Sequence, residues 1–199
     1  MRVAIIKYNA GNIMSVDYAL QRLGIEAVIT NEHEFIMSAD RVIFPGVGEA
    51  STTMSYLKKE KLDKLIRDLK QPVLGICLGM QLMCRHSEEN NTPCIGIFDE
   101  HVKKFVPEKG KECIDKVPQM GWNSIRELSS EIFRNIEDGS YVYFVHSYYV
   151  SRGQDTVALC DYINPFSAAL QKDNFYATQF HPEKSGKVGS AMLDNFLKI

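Results

Sequence analysis

The sequence predicts an α/β fold: a mostly parallel central sheet covered by helices on both faces, with antiparallel extensions in the second half. Three observations point there. Short, largely apolar runs such as Val3–Ile6, Arg41–Phe44 and Val73–Ile76 read as strands buried on both faces. Segments with apolar residues at helical spacing lie between them. No Pro/Gly/Ser-rich linker breaks the alternation, so one domain over residues 1–199 is expected.

Taken in order, Val3 to Ile6 forms the first strand. Ile13, Val16, Leu20 and Leu23 then recur at helical spacing, and Gly24 follows as a C-cap. Ala27-Val28-Ile29 is a second strand. Arg41-Val42-Ile43-Phe44 is a third, stopped by Pro45-Gly46-Val47-Gly48. Helices are expected over 51–57 and 62–69. Val73-Leu74-Gly75-Ile76 is a fourth strand, with a helix starting after Cys77. The second half changes character: 102–106, 141–145, 148–150, 157–160, 168–170 and 176–180 look like strands with short connections. They suggest antiparallel extensions or a second small sheet. A last helix over 188–197 carries Val188, Met192, Leu193 and Phe196 on one face.

Composition narrows the class. Hydrophobic residues make up 45% and charged residues 24%, ordinary values for a globular domain. The formal net charge of −2 provides no bulk electrostatic footprint for nucleic acid. No apolar stretch approaches the roughly 18 residues of a membrane span, and the start is too short in apolar residues for a signal peptide. The five cysteines are unevenly spaced and include no Cys-x-x-Cys pair, so neither zinc nor a disulfide framework is expected. Free thiols suit a reducing cytoplasm.

The most informative stretch is Gly75-Ile76-Cys77-Leu78-Gly79-Met80-Gln81. A buried strand runs straight into Gly-x-Cys-x-Gly and then a helical pattern, the nucleophile-elbow arrangement with Cys in place of Ser. Most cysteines are buried structural residues. The flanking glycines separate Cys77 from Cys84, Cys94, Cys113 and Cys160, which are read as structural. The turn should push the Cys77 sulfur above the carboxyl edge of the sheet, where open parallel sheets bind ligands. A helix N-terminus there favours thiolate, and the Leu78 amide points to the same place.

A Cys nucleophile acting on an amide needs a base, and the base an orienting acceptor. His181-Pro182-Glu183 closes the strand Ala177-Thr178-Gln179-Phe180. Extended geometry at His181 and Pro182 would send His181 and Glu183 to one side. Alone this motif reads more readily as a surface turn; coupled to the elbow it reads as base and orienter. His33, His86 and His101 lie in polar surroundings and are expected to be solvated, whereas His146 closes an apolar strand.

The pairing of the elbow with Gln179-Phe180-His181-Pro182-Glu183 resembles the class I glutamine amidotransferases, and Pro45-Gly46-Val47-Gly48 resembles the family's oxyanion loop. The resemblance covers essentially the whole chain. Within the family, Tyr8-Asn9-Ala10-Gly11-Asn12-Ile13, Gln119-Met120-Gly121-Trp122-Asn123 and Phe144-Val145-His146-Ser147-Tyr148 are most similar to the HisH-type glutaminase subunits of imidazole glycerol phosphate synthase. Lys7 and Asn9 depart from the Asp and Gly that many members carry.

The resemblance implies that Cys77 attacks glutamine, His181 moves the proton and Glu183 orients His181. It implies an oxyanion hole from the amides of Val47 and Leu78. Gly46, Gly48, Gln81, Glu89, His146, Ser147 and Tyr148 would bind the substrate, with no metal or cofactor. It further implies a HisF-type (β/α)8-barrel cyclase partner, facing Asn12, Met120, Trp122, Asn123, Tyr143 and Lys184. For Trp122 a core anchor is an equal alternative. The Pro45–Gly48 loop, with its two glycines, is expected to rearrange when the partner holds its ligand. The chain carries no Gly-x-x-x-x-Gly-Lys phosphate loop and no dinucleotide fingerprint, so an acceptor site must come from elsewhere. A paralogous glutaminase serving another acceptor and a stand-alone cysteine hydrolase remain alternative readings; a non-enzymatic module is opposed by the intact Cys77, His181 and Glu183.

Overall fold

The computed structural model describes residues 1–8, 13–110 and 113–199. The segment expected around Asn12 therefore lies partly outside the described residues, Asn12 included.

The first half alternates as the apolar runs require: β1 (Val3–Ile6), α1 (Ile13–Arg22), β2 (Ala27–Thr30), α2 (His33–Ser38), β3 (Arg41–Phe44), α3 (Ala50–Lys59), α4 (Leu62–Asp68), β4 (Val73–Ile76) and α5 (Leu78–Met83). The second half adds β5 (His86–Ser87), β6 (Thr92–Pro93), β7 (His101–Lys104), β8 (Gln119–Ser124), β9 (Tyr141–His146), β10 (Tyr148–Val150), β11 (Thr156–Asp161), β12 (Pro165–Lys172), β13 (Phe175–Thr178) and α6 (Gly186–Leu197).

Seven strands form the main sheet in the order β11-β12-β13-β4-β3-β1-β2. From β13 to β2 the neighbours are parallel; β12 and β11 extend the edge antiparallel. Two smaller sheets complete the molecule, β10-β7-β5-β6 and the antiparallel ribbon β8-β9. Both expectations for the second half, antiparallel extensions and a separate small sheet, thus hold at once.

The period-2 alternation of the strands splits the core into two layers. Val3, Ile5, Ile43, Leu74 and Ile76 face α1 and α6, meeting Val16, Leu20, Met192, Leu193 and Phe196. Ala4, Ile6, Val42, Phe44 and Val73 face α3, α4 and α5, meeting Met54, Leu57, Leu65, Ile66 and Met83. Each of the larger of these side chains, taken from water to full burial, contributes roughly 1.5–3 kcal/mol. Helix α1 ends where expected: Gly24 takes φ +78°, and the Gly24 and Ile25 amides donate to the carbonyls of Gln21 and Leu20.

Sequence reading and structure differ at five points. Helix α2 is too short for periodicity to reveal it, and Ile36 is its one fully buried residue. His33 begins this helix, with its ring against the Glu60 carbonyl, and is half-buried rather than solvated. His86 and His101 sit on paired strands, their rings 5.8 Å apart; His86 is half-buried, whereas His101 is exposed as expected. Strand β8 lacks β-branched residues and forms because its register with β9 supplies partners. Cys113, read as structural, is exposed, while Cys84 and Cys160 are buried and all five cysteines are free. Among the described residues no helix is long and apolar enough to cross a membrane.

Candidate active site

The site begins at the carboxyl end of β4. Cys77 has φ +54° and ψ −108°, a conformation that costs an L-residue energy and persists only where the surroundings enforce it. They enforce it here from both sides. The Cys77 amide donates to the Thr178 carbonyl of the neighbouring strand at 2.7 Å, and its carbonyl accepts from Gln81 as α5 starts. The sulfur is thereby lifted out of the sheet at its carboxyl edge, next to β13.

Close approach, more than turn geometry, accounts for the glycine after the nucleophile. A Cβ at Gly79 would lie 2.0 Å from the Phe44 carbonyl oxygen, and one at Gly46 would lie 2.5 Å from the Gly79 nitrogen. Both contacts are with backbone. Substitution Gly79→Ala should destabilise the fold by about 1–3 kcal/mol or more, read as a fall in melting temperature. An unchanged melting temperature would show that α5 is not held against β3.

His181 approaches from the end of β13. The chain leaves the sheet after Thr178, and the His181 amide donates to the Tyr143 carbonyl at 2.9 Å. Its Nδ1 lies 2.8 Å from Glu183 Oε1, with both side chains almost wholly buried. The two do not converge along an extended strand, as the sequence suggested. Pro182–Lys184 is a single 3₁₀ turn, which the fixed φ of Pro182 at its first position favours, and that turn folds the carboxylate back onto the ring. Burial works against a charged imidazole, but contacts with Cys77 and Glu183 outweigh it and lift the His181 pKa to about 10. Near neutral pH the ring is therefore a cation beside the sulfur.

Cys77 and His181 open onto one pocket of about 330 Å³. Val47, Gly48, Leu78, Gln81, Glu89, Ser147, Tyr148 and Lys184 line it too, as do Pro118 and Val145, which the sequence did not single out. Gly46 does not line it; its role is the packing against α5 described above.

The polar groups of the pocket differ in what they have left to offer. Glu89 Oε2 accepts from the Ala50 amide at 2.7 Å. Its pKa is nevertheless raised, first by burial and then by Glu49 nearby, so this carboxylate gains from a cationic partner. His146 is different. Its Nδ1 lies 2.7 Å from the Tyr148 carbonyl and its Nε2 2.9 Å from the Gln119 side chain. Burial lowers its pKa to about 4, so the ring is neutral. Both nitrogens are spent inside the protein, and His146 contributes a wall rather than a hydrogen bond to a ligand.

The oxyanion donors are not both free in this conformation. The Leu78 amide donates to the Gly46 carbonyl at 3.3 Å. Gly48, at φ +121°, sits in the region that glycine tolerates best.

Of the predicted interface residues, Met120 and Trp122 are 66% and 54% exposed, which excludes the core-anchor reading of Trp122. Trp122 pairs with Tyr143 across the ribbon, ring centroids 5.9 Å apart. Its ring edge comes within 3.8 Å of a Cβ built on Gly186, just past the triad turn. The Asn123 side chain is tied to the Asp161 carbonyl and its own neighbour's amide, and offers less. Sequence reasoning gave no role to Gln119 and Gln179, both buried; for Gln179 the available signal was its place in the strand run Ala177 to Phe180.

Comparison with known proteins agrees with this geometry. Residues 5–199 match the family described as glutamine amidotransferase class-I. The chain is 63% identical, over the full length of both, to a protein of Bacteroides fragilis (strain YCH46) named imidazole glycerol phosphate synthase subunit HisH. It is 44% identical, again over both full lengths, to the protein of that name in Escherichia coli (strain K12). Among solved structures, one named glutamine amidotransferase superposes with a TM-score of 0.74 at 18% identity, covering 98% of this chain and 97% of the other. The last likeness speaks for the fold alone.

Proposed function

This chain belongs to the class I glutamine amidotransferase family, and from that premise we propose that it is a HisH-type glutaminase subunit, acting as one domain in the cytoplasm. It hydrolyses L-glutamine to glutamate and ammonia and passes the ammonia to a HisF-type (β/α)8-barrel cyclase. That partner makes imidazole glycerol phosphate and aminoimidazole carboxamide ribonucleotide in histidine biosynthesis. The observation that carries the reading is a strained cysteine sharing a pocket with a buried, carboxylate-held imidazole.

In this reading Cys77 Sγ attacks the side-chain carboxamide carbon and forms a tetrahedral intermediate. His181 gives a proton to the nitrogen, and the C–N bond breaks to release ammonia, leaving a thioester. Water, deprotonated by His181, attacks the thioester carbonyl; the C–S bond breaks and glutamate leaves. Glu183 holds the ring in position throughout. Glu89 receives the substrate ammonium, and Gln81, Gly48, Ser147 and Tyr148 enclose the rest.

The oxyanion hole needs one movement. The oxygen of Gly46 and the N–H of Val47 project to opposite sides of one planar peptide. Turning that peptide withdraws the carbonyl from Leu78 and brings the Val47 N–H to the same side. Both donors of the hole become available in a single step. Glycines at 46 and 48 keep the steric cost low. Such a closed resting state restrains wasteful hydrolysis until the partner is loaded.

Two exposed apolar residues on β8, with Tyr143 and Lys184, form the surface for the cyclase. Helix α1, which contacts the Pro182–Lys184 turn, adds exposed Met14 and Tyr18. The test is glutaminase turnover of the chain alone, with the cyclase, and with the cyclase holding its nucleotide ligand. Turnover should rise by at least about tenfold in the last case, since a single oxyanion donor is worth 10²–10³ in rate. Equal rates throughout, or failure to restore a histidine auxotroph lacking its own subunit, would favour a different acceptor.

A further inference from the structure

Gln179 lies outside every role assigned above, yet it is fully buried beside the sulfur. A buried carboxamide must find partners for its oxygen and its nitrogen. The Gln179 Nε2 lies 3.7 Å from Cys77 Sγ, and its Oε1 accepts from Gln81 Nε2 at 3.0 Å.

The two ends of an amide have nearly the same shape, so its orientation has to follow from its neighbours. Here the neighbours decide it. The Tyr148 main-chain carbonyl only accepts, and it lies 3.0 Å from the Gln81 side chain. Gln81 must therefore turn its nitrogen that way. The second N–H of the same nitrogen meets Gln179, which must answer with oxygen. The Gln179 nitrogen is thereby left facing the sulfur. The chain of orientation begins at a fixed point, because the Tyr148 carbonyl also accepts from His146 Nδ1.

We propose that the Gln179 carboxamide is a built-in hydrogen-bond donor to the Cys77 sulfur, which favours its thiolate and aims it into the pocket. The sulfur then has a partner in each state. As a thiol it donates toward the Val145 carbonyl, 3.8 Å away. As a thiolate it accepts from Gln179. The titratable groups that interact with it are the His181 imidazole, which also hydrogen-bonds the sulfur, and the buried Tyr8 hydroxyl. A hydrogen bond to a charged acceptor is stronger than one to a neutral acceptor, so the donor acts mainly on the reactive form. This inference rests on the reading of Cys77 as the glutaminase nucleophile.

The experiment follows alkylation of Cys77 by iodoacetamide against pH in the full chain, with the modified peptide identified by mass. Gln179→Met keeps the volume and removes the donor. Gln179→Glu keeps the shape and sets a carboxylate oxygen against the sulfur. Near neutral pH the Met variant should react about tenfold more slowly, and the Glu variant about a hundredfold. In both, the midpoint of the pH profile should move upward, and glutamine turnover should fall in step. A purely structural role would slow the reaction without moving the midpoint, and that result, like a profile unchanged from wild type, overturns the proposal. If Gln179→Met does not fold, the isosteric Glu variant carries the same test. Wild-type Cys77 reacting no faster than exposed Cys113 would instead remove the nucleophile reading beneath it, and the inference with it.

Discussion

Cys77→Ala removes glutamine-dependent synthesis from the reconstituted complex, while synthesis driven by added ammonium salts continues. The loss should be about 10⁵-fold or more, because deleting a nucleophile abolishes the covalent route and leaves only binding and oxyanion stabilisation. Fold stability should change little by comparison. The sulfur lies at a pocket rather than in a closed core, and alanine adds no atom to the site. Alanine still has to accept the φ of +54°, so the conformational cost of the elbow is unchanged. The measurement compares the two nitrogen sources on one preparation. Simultaneous loss of both activities would refute the division of labour between subunits.

Glu183→Gln should cost about 10³–10⁴-fold in glutamine turnover with near-normal substrate affinity, since the carboxylate fixes the imidazole tautomer and supports its charge. It also has a signature in stability against pH. The His181 pKa is raised from 6.5 to about 10. A raised pKa means that the folded state holds the proton more tightly than the unfolded chain does. The associated stability is fully present below pH 6.5 and is lost as pH rises through about 10. The variant removes one of the two contacts that raise the pKa, so its stability should decline less over this window. Melting curves collected from pH 6 to 10 check this. Parallel curves for wild type and variant would mean that Glu183 does not support the imidazolium.

The elements and motifs legible in the sequence share one property: each is governed by residues close together in the chain. Apolar runs of four residues marked β1, β3 and β4, and Gly75 to Gly79 marked the turn at the nucleophile. Helix α2 and strand β8 were not legible in this way. The first is too short to show a period, and the second exists because β9 lies alongside it. The same distinction applies within the site. The pairing of His181 with Glu183 was readable from two residues of separation, although the 3₁₀ turn that achieves it was not. The roles of His146 and Gln179 were out of reach, because their hydrogen bonds run to Gln119, Tyr148, Gln81 and Cys77.

By itself, then, the sequence determined the α/β class, the residue types of the chemistry and the family to which they belong. Strand burial, turn geometry and a proline's fixed φ act over a few residues and leave their mark in local composition. Only the tertiary structure decided which polar groups still have a hydrogen bond to offer. It closed Leu78 against Gly46, spent both nitrogens of His146, turned the Gln179 amide toward the sulfur and left Trp122 in solvent. Hydrogen-bond capacity belongs to an atom and all its neighbours together, and those neighbours come from segments as far as 102 residues apart.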